Sequence, residues 1–289
     1  MLARRRRSDS STSGPFSAEP DLSGRKRSDS TPKPSGRIRA ESDPRLPCTI
    51  GIDVLQADQS NLLDHCKSFL SSGADFLHFD VDDSYPGLGH KEVKMLRDAL
   101  GPDVFLDVHC MLPNPDRWVE PFANAGANRF TFNLELFESG VDTSNLLVKV
   151  REMGMENGLA ILPKTPLGAL LPFCDSIDTA VILTVDPDAE ERTFMKTMIG
   201  KIRKIRNEHP ELTIQVDGDV GPENVDLCAY AGANSVVGGR AVMTHPDPSH
   251  VFEIIYQHMR KDLRGRSKSY SFTEYFKFED EYHQENSYF

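Results

Sequence analysis

Short strand-like runs alternate with longer amphipathic segments from Thr49 to about Met259, and this alternation is the strongest constraint on the fold. The runs are rich in β-branched and aromatic residues, whereas the segments between them repeat apolar residues with the helical period. Three helix-to-strand joints carry nearly the same tripeptide, whose glycine suits the left-handed end of a helix. They are Gly73-Ala74-Asp75, Gly126-Ala127-Asn128 and Gly232-Ala233-Asn234. Such units build a parallel sheet covered by helices.

The pattern predicts eight strands: Thr49–Leu55, Phe76–Val81, Val104–Val108, Arg129–Asn133, Gly158–Leu162, Thr179–Leu183, Thr213–Val216 and Ser235–Val237. Helices are predicted at Leu62–Leu70, Glu92–Leu100, Asp116–Ala125, Leu146–Met153, Met195–Glu208, Asn224–Ala231 and Phe252–Met259. Eight strands in about 210 residues fit the lower size range of a (β/α)8 TIM barrel. An open, doubly wound sheet is the alternative fold.

The two ends of the chain differ in composition from this region. Residues 1–46 hold 11 Lys and Arg, 6 Asp and Glu, many Ser and Pro, and few aliphatic residues, so we expect a disordered N-terminal tail. Residues 47–262 are expected to form the barrel. Residues 263–289 contain eight aromatic residues, which disordered segments seldom carry, so we expect a C-terminal extension that docks on the barrel or on another protein.

Composition excludes several classes of protein. The net charge of −11 argues against nucleic-acid binding, because phosphate backbones are held by surplus Lys and Arg. Five widely spaced cysteines without a CxxC pair predict neither disulfides nor a cysteine zinc site, and favour a reducing compartment. No apolar stretch approaches the length of a membrane span. We expect a cytoplasmic protein, although the Arg- and Ser-rich leader leaves an organelle transit peptide open.

Two segments of the N-terminal tail place a serine three residues after an arginine and two before a proline. These serines are Ser30, in residues 27–32, and Ser42, in residues 39–44. Both segments resemble basophilic-kinase sites that a 14-3-3-type adaptor reads after phosphorylation. The alternative is a Ser/Arg-rich linker with chance matches.

Ionisable residues stand at the ends of three predicted strands, where the reactive groups of a barrel meet. The second strand ends with His78 and Asp80, the third with Asp107 and His109, and the seventh is followed by Asp217. A single such residue is more often structural, but several at matching depth favour a shared site. Two imidazoles with carboxylates suit Fe²⁺, Zn²⁺, Mn²⁺ or Co²⁺.

Four motifs carry a resemblance to a known family. Residues 55–58 read LQAD, residues 73–81 read GADFLHFDV, residues 107–111 read DVHCM with NPDR at 114–117, and residues 216–218 read VDG. They resemble the LSAD, GADWIHVDV, DVHLM with NPDR, and VDGG motifs of the ribulose-phosphate 3-epimerase family. The resemblance covers about residues 48–260.

The resemblance implies a metal-dependent isomerase of the pentose phosphate pathway that interconverts D-ribulose 5-phosphate and D-xylulose 5-phosphate. It implies that His78, Asp80, His109 and Asp217 bind a divalent metal, and that Asp80 and Asp217 exchange the proton through an ene-diolate. We also expect a homo-oligomer. The expected contacts with the sugar-phosphate substrate are His109, Met111, Gly218, Gly239 and Arg240.

The chain departs from the family around the expected phosphate site. The glycine-rich NPGFGGQ loop after the sixth strand is replaced by residues 186–192, in which Asp188, Glu190 and Glu191 would repel a dianion. Arg240 stands where a serine is usual, and we expect Arg240 or Arg192 to restore attraction through a bidentate grip.

Two further carboxylates distinguish the expected mouth of the barrel, since Asp53 replaces a serine and Asp82 a methionine. Facing the metal they would raise neighbouring carboxylate pKa values or bind a second cation; facing outward they would pair with Arg or Lys. Two rival functions stay open. One is an epimerase-like enzyme with a changed sugar substrate, and the other is a non-catalytic barrel acting as a phosphorylation-regulated scaffold.

Overall fold

The computed structural model describes residues 47–264, apart from residues 56, 58, 84–87 and 137–142. The expected N-terminal tail, with Ser30 and Ser42, lies outside the described residues, as does the C-terminal extension beyond Arg264. Those expectations stay predictions.

Eight parallel strands close into a barrel in the order of the chain, with the eighth strand paired to the first. This closure confirms the (β/α)8 TIM barrel and rules out the open, doubly wound sheet. The strands are β1 Thr49–Asp53, β2 Phe76–Val81, β3 Phe105–Cys110, β4 Arg129–Asn133, β5 Glu156–Ile161, β6 Thr179–Leu183, β7 Thr213–Val220 and β8 Ser235–Gly238.

Helices follow the strands and cover the outside of the barrel. In the described part of the chain the α-helices are α1 Leu62–Ser72, α2 His90–Leu100, α3 Val119–Ala125, α4 Thr143–Glu152, α5 Leu167–Leu170, α6 Met198–Glu208, α7 Val225–Ala231, α8 Arg240–Met243 and α9 Pro248–Arg264. The sequence pattern does not predict α5 or α8, because four residues are too few to repeat an apolar face. None of the described helices is both long and apolar enough to cross a membrane.

The side chains on the two faces of the strands have different characters, as the alternation along a strand requires. Outward residues such as Phe130 pack on the helices, and its ring centroid lies 5.9 Å from that of Phe122 on α3. The interior contains fully buried polar residues, among them Asp107 and Gln215. All five cysteines are free, as expected.

Strand β7 is longer than its sequence pattern predicts because it contains a bulge. Val216 pairs with Val236 and Val220 with Gly238, so four steps along β7 face two along β8. The extra residues are taken up by Gly218, with a φ of 120°, and Asp219, with a φ of 52°. A bulge next to a strand end changes the direction of side chains there.

Candidate metal centre and active site

The barrel brings together the four residues that the sequence places at strand ends. In the β2–β3 register, Asp80 lies beside His109 and His78 beside Asp107. Asp217 reaches the same point from β7. The coordinating atoms of His78, Asp80, His109 and Asp217 all lie within 4.8 Å of one another.

The spacing of these atoms fits a single divalent ion. His78 Nε2 lies 3.3 Å from Asp80 Oδ1 and 3.6 Å from Asp217 Oδ2, and His109 Nδ1 lies 2.9 and 3.9 Å from the same two oxygens. Ligands about 2.1 Å from a tetrahedral ion are separated by about 3.4 Å, which is the centre of this range. The four side chains therefore form a donor set that can hold a divalent metal.

Each imidazole is oriented by a partner on its other nitrogen. His78 Nδ1 lies 2.9 Å from Asp107 Oδ2, and both side chains are fully buried. His109 Nε2 hydrogen-bonds to the side-chain oxygen of Asn133. Such partners fix the tautomer and the ring plane, so that Nε2 of His78 and Nδ1 of His109 face the point where an ion would bind.

Asp107 is itself held by a buried network below the metal centre. Its Oδ2 accepts from Gln215 Nε2 at 3.0 Å and from Arg129 Nη1 at 3.4 Å. Arg129 also donates to Gln215 Oε1 at 2.8 Å, and its guanidinium carbon lies 5.0 Å from the centroid of the Phe105 ring. The network ties the orientation of His78 to three strands.

Sequence reasoning assigned no role to Asn133, Arg129 or Gln215, and noted Asp107 only as a strand-end acid. The available signal for Asp107 was the alternation of side chains, which places it on the same face as His109, two residues further on. The amides gave no signal, because buried Asn and Gln are common in any fold.

The close packing of carboxylates and imidazoles shifts the pKa values of the residues at this site strongly. Burial opposes charge on Asp80, but hydrogen bonds from His109 and His78 outweigh it and hold the pKa of this carboxyl well below its usual range. Burial also opposes charge on His78 and His109, yet their carboxylate partners raise both pKa values. Arg129 and His78 overcome burial at Asp107 and lower its pKa to about 2. A metal ion held by these residues would take the place of protons on the imidazoles.

Asp53 and Asp82 both line the cavity above the metal centre, which decides between their two predicted orientations. Burial and the nearby Asp80 carboxylate raise the pKa of Asp53 to about 7, and Leu55 N donates to its Oδ1 at 2.8 Å. The expected rise in neighbouring carboxylate pKa values does not extend to Asp80, because the two imidazoles dominate there.

The cavity at the barrel mouth has a volume of about 300 Å³ and includes every expected substrate contact. These are His109, Met111, Gly218, Gly239 and Arg240.

The acidic residues of the loop after β6 were expected to face the phosphate site, but they do not line the cavity. Arg192 lines the cavity, whereas Asp188, Glu190 and Glu191 are exposed and do not. Lys164 Nζ lies 3.7 Å from an Asp188 oxygen. The repulsion of an anion by this loop is therefore weaker than its sequence indicates, because these three carboxylates do not line the cavity.

A sequence model of the ribulose-phosphate 3 epimerase family matches residues 49–243, which include all four residues of the metal centre. The chain belongs to this family. It is 34% identical over 235 residues to a ribulose-phosphate 3-epimerase of Candida glabrata, covering 75% of this chain and 94% of the relative. It is 33% identical over 223 residues to a ribulose-phosphate 3-epimerase of Oryza sativa subsp. japonica, cytoplasmic isoform, covering 75% and 94%.

Solved structures with the same barrel fold superpose on this epimerase-family chain. A 3-hexulose-6-phosphate synthase from Salmonella typhimurium superposes with a TM-score of 0.57 at 16% identity, covering 74% of this chain and 99% of that one. KGPDC from Streptococcus mutans in complex with D-R5P superposes with a TM-score of 0.58 at 12% identity, covering 74% and 98%. At these identities the likeness shows the barrel fold alone.

Proposed function

We propose that this epimerase-family chain interconverts D-ribulose 5-phosphate and D-xylulose 5-phosphate, as an isomerase of the pentose phosphate pathway. The observation that carries the proposal is the position of Asp80 and Asp217. They come from strands β2 and β7, line one cavity, and approach the same nitrogen of His78 at 3.3 and 3.6 Å.

Two carboxylates on separate strands suit the inversion of a carbon next to a carbonyl. One removes the C3 proton from one face, and the other returns a proton to the opposite face, through an ene-diolate. Asp80 and Asp217 take these roles, and exchange them when the reaction runs backwards. The low pKa of Asp80 keeps this carboxyl in the ionised form that a base requires.

His78, Asp80, His109 and Asp217 would hold Fe²⁺, Zn²⁺, Mn²⁺ or Co²⁺, as their mixed nitrogen and oxygen donors suit these ions. A divalent ion there supplies positive charge that stabilises the developing oxyanion and makes the adjacent C–H more acidic. His109 lines the cavity, but its two nitrogens face the metal centre and Asn133, so it would act on the substrate only by holding the ion. Met111 contributes an apolar wall that excludes water from the reacting carbon.

Isotope exchange tests the proposal directly. D-Ribulose 5-phosphate deuterated at C3 is incubated with the full chain and each of the four metals in turn, and loss of deuterium to water is followed by NMR. We expect exchange in the wild type and a loss of at least about 100-fold in Asp80→Asn and Asp217→Asn, the usual range for a lost acid/base group.

Asp98→Asn is the matched control, because Asp98 is an exposed acid whose Lys94 partner is also exposed. This variant should exchange at the wild-type rate. Wild-type protein that contains stoichiometric metal but exchanges no deuterium would refute the proposal. Equal exchange of unphosphorylated D-ribulose would instead favour the enzyme with a changed sugar substrate.

We infer three further properties from the sequence and from the similarity to known relatives. The Oryza relative is a cytoplasmic isoform, which supports a cytoplasmic location for this chain. We propose that phosphorylated Ser30 and Ser42 bind a 14-3-3-type adaptor, which a pull-down with Ser30→Ala/Ser42→Ala as the control would test. We also propose a homo-oligomer, and a monomer mass in sedimentation equilibrium would exclude it.

A further inference from the structure

The bulge in β7 adds a charged group to the rim of the cavity. Directly after the proposed metal ligand Asp217, the backbone turns through Gly218 and Asp219. The carbonyl oxygens of Asp217 and Gly218 both accept from Thr184 Oγ1. Asp219 is one of two non-glycine residues with positive φ in the described part of the chain, and it stands where the VDGG motif has its second glycine. Its carboxylate is therefore an addition at a position that a glycine would occupy without strain.

This added carboxylate pairs with the added arginine. Asp219 Oδ1 accepts a hydrogen bond from Arg240 Nη2 at 2.6 Å, and both residues line the cavity. The Arg240 side chain is 65% exposed, so the pair stays accessible from solvent. The contact holds the guanidinium at the mouth of the cavity.

A second guanidinium lines the same cavity. Arg192, on the loop after β6, donates from Nη2 to the carbonyl oxygen of Pro187 at 3.2 Å. This bond uses one of the five N–H groups of a guanidinium and leaves the others for a ligand. The cavity is therefore lined by three of the four proposed metal ligands, Asp80, His109 and Asp217, and by two arginines.

We propose that the Arg192 and Arg240 side chains bind the phosphate group of the substrate, and that Asp219 competes with this phosphate for Arg240. The inference rests on the proposed function for the identity of the phosphate ester. Glycine-rich loops hold phosphate through backbone N–H groups. Here two guanidinium forks, which match the oxygens of a phosphate, replace that cradle.

The Asp219–Arg240 pair then has two opposing effects on affinity. It limits the motion of Arg240 before the substrate arrives, which lowers the entropy lost on binding. It also has to loosen when the dianion arrives, since one guanidinium cannot serve both anions fully. Because a charge-assisted contact contributes more than the ordering of one side chain costs, removal of Asp219 should tighten phosphate binding as long as Arg240 is present.

Binding of inorganic phosphate to the metal-loaded full chain, measured by calorimetry, tests this independently of turnover. We expect Arg192→Ala and Arg240→Ala each to weaken phosphate binding and to raise the KM for D-ribulose 5-phosphate by about tenfold, the loss expected for one charge-assisted contact. Asp219→Asn should tighten phosphate binding by about threefold or more. Asn accepts positive φ, so the bulge is retained. Asp219→Gly, which also suits that φ, is the second version of the same test.

A double-mutant cycle separates competition from a general effect of charge. The gain from Asp219→Asn should be at least about threefold larger in the wild-type background than in Arg240→Ala. Arg151→Ala is the matched control, because Arg151 forms an exposed pair with Asp178 at 2.9 Å and does not line the cavity. It should bind phosphate like the wild type.

The inference is overturned if Arg240→Ala binds phosphate as the wild type does, if Asp219→Asn weakens binding, or if the cycle shows no coupling. Failure of the proposed function would give a different combination of results in the two assays. If phosphate binding depends on both arginines but no deuterium exchanges, the subsite stands and the epimerase does not. If deuterium exchanges normally but Arg192→Ala and Arg240→Ala bind phosphate as the wild type does, only the proposed arginine subsite is wrong.

Discussion

Replacement of Asp107 by Asn should weaken metal binding without removing any of the four proposed ligands. The Oδ2 atom of Asp107 accepts hydrogen bonds from His78, Gln215 and Arg129. Its Oδ1 has no hydrogen-bond partner among the residues that the structure describes. Asn would therefore keep its carbonyl oxygen at the Oδ2 position and preserve the tautomer of His78. It would lose the negative charge and place its NH2 group at the buried Oδ1 position, where no described residue offers a hydrogen-bond partner.

The size of the effect follows from that lost charge. A neutral acceptor makes His78 a weaker base, and loss of such a partner typically costs about 10- to 100-fold in metal affinity. This corresponds to about 1.4–2.7 kcal/mol. Stability should also fall, because Arg129 loses its buried carboxylate and keeps Glu156, whose side chain is 47% exposed. Breaking a buried ion pair costs about 3–5 kcal/mol, and the retained Glu156 places our expectation at the lower end.

Two measurements separate the effects. Co²⁺ titration gives the metal affinity, and urea unfolding in the presence of a chelator gives the stability of the metal-free chain. The double variant Asp107→Asn/Arg129→Met removes the guanidinium that has lost its buried carboxylate, so it should recover much of the stability but none of the metal affinity. Unchanged Co²⁺ affinity in Asp107→Asn would refute the reasoning, and so would a double variant that recovers metal binding.

Other consequences of the packing can be tested in the same unfolding assay. A methyl group on Gly51 would lie 2.0 Å from the Phe76 ring, so Gly51→Ala should destabilise the fold by about 1–3 kcal/mol, whereas Gly168→Ala, with no atom within 4 Å, should not. Burial lowers the pKa of Lys201 from 10.5 to about 8. Between these values the unfolded chain holds the proton and the folded chain does not, so this group should add stability as pH rises, by up to about 3 kcal/mol, and Lys201→Met should lack that rise relative to the wild type. Burial raises the pKa of the Cys66 thiol to about 12, so it should react with a disulfide reagent only after unfolding, and rapid labelling of the folded chain would contradict its burial.

The metal centre could be predicted from sequence because a parallel barrel leaves little freedom at the strand ends. Once β2, β3 and β7 are assigned, the alternation of side chains sends His78, Asp80, His109 and Asp217 into the same mouth. The assignment does not require exact strand boundaries. Strand β7 extends four residues beyond its predicted end, yet Asp217 still faces the metal centre.

The features that the sequence did not predict depend on contacts between residues that no repeating sequence pattern relates. Orientation of the loop after β6 is set partly by Lys164, which lies 2.8 Å from Asp186, and no local pattern connects these two residues. The bulge at Asp219 could not be predicted from sequence for a related reason. A single Asp after a glycine is compatible with a turn, a helix cap or a regular strand. Only the pairing with β8 shows that the residue is extra and that its carboxylate meets Arg240.

The charges of the cavity impose a direction on any substrate that enters it. Asp80 and Asp217 belong to the group that can hold a cation, whereas Arg192 and Arg240, outside that group, offer positive charge to the same cavity. A sugar phosphate bound with its anionic end at the arginines presents its carbonyl end to the metal centre. The reverse orientation would bring a dianion next to Asp53, Asp80 and Asp217, where the carboxylates repel it. In this arrangement the arginines would act on catalysis by orienting the substrate, so their loss should raise KM more than it lowers kcat.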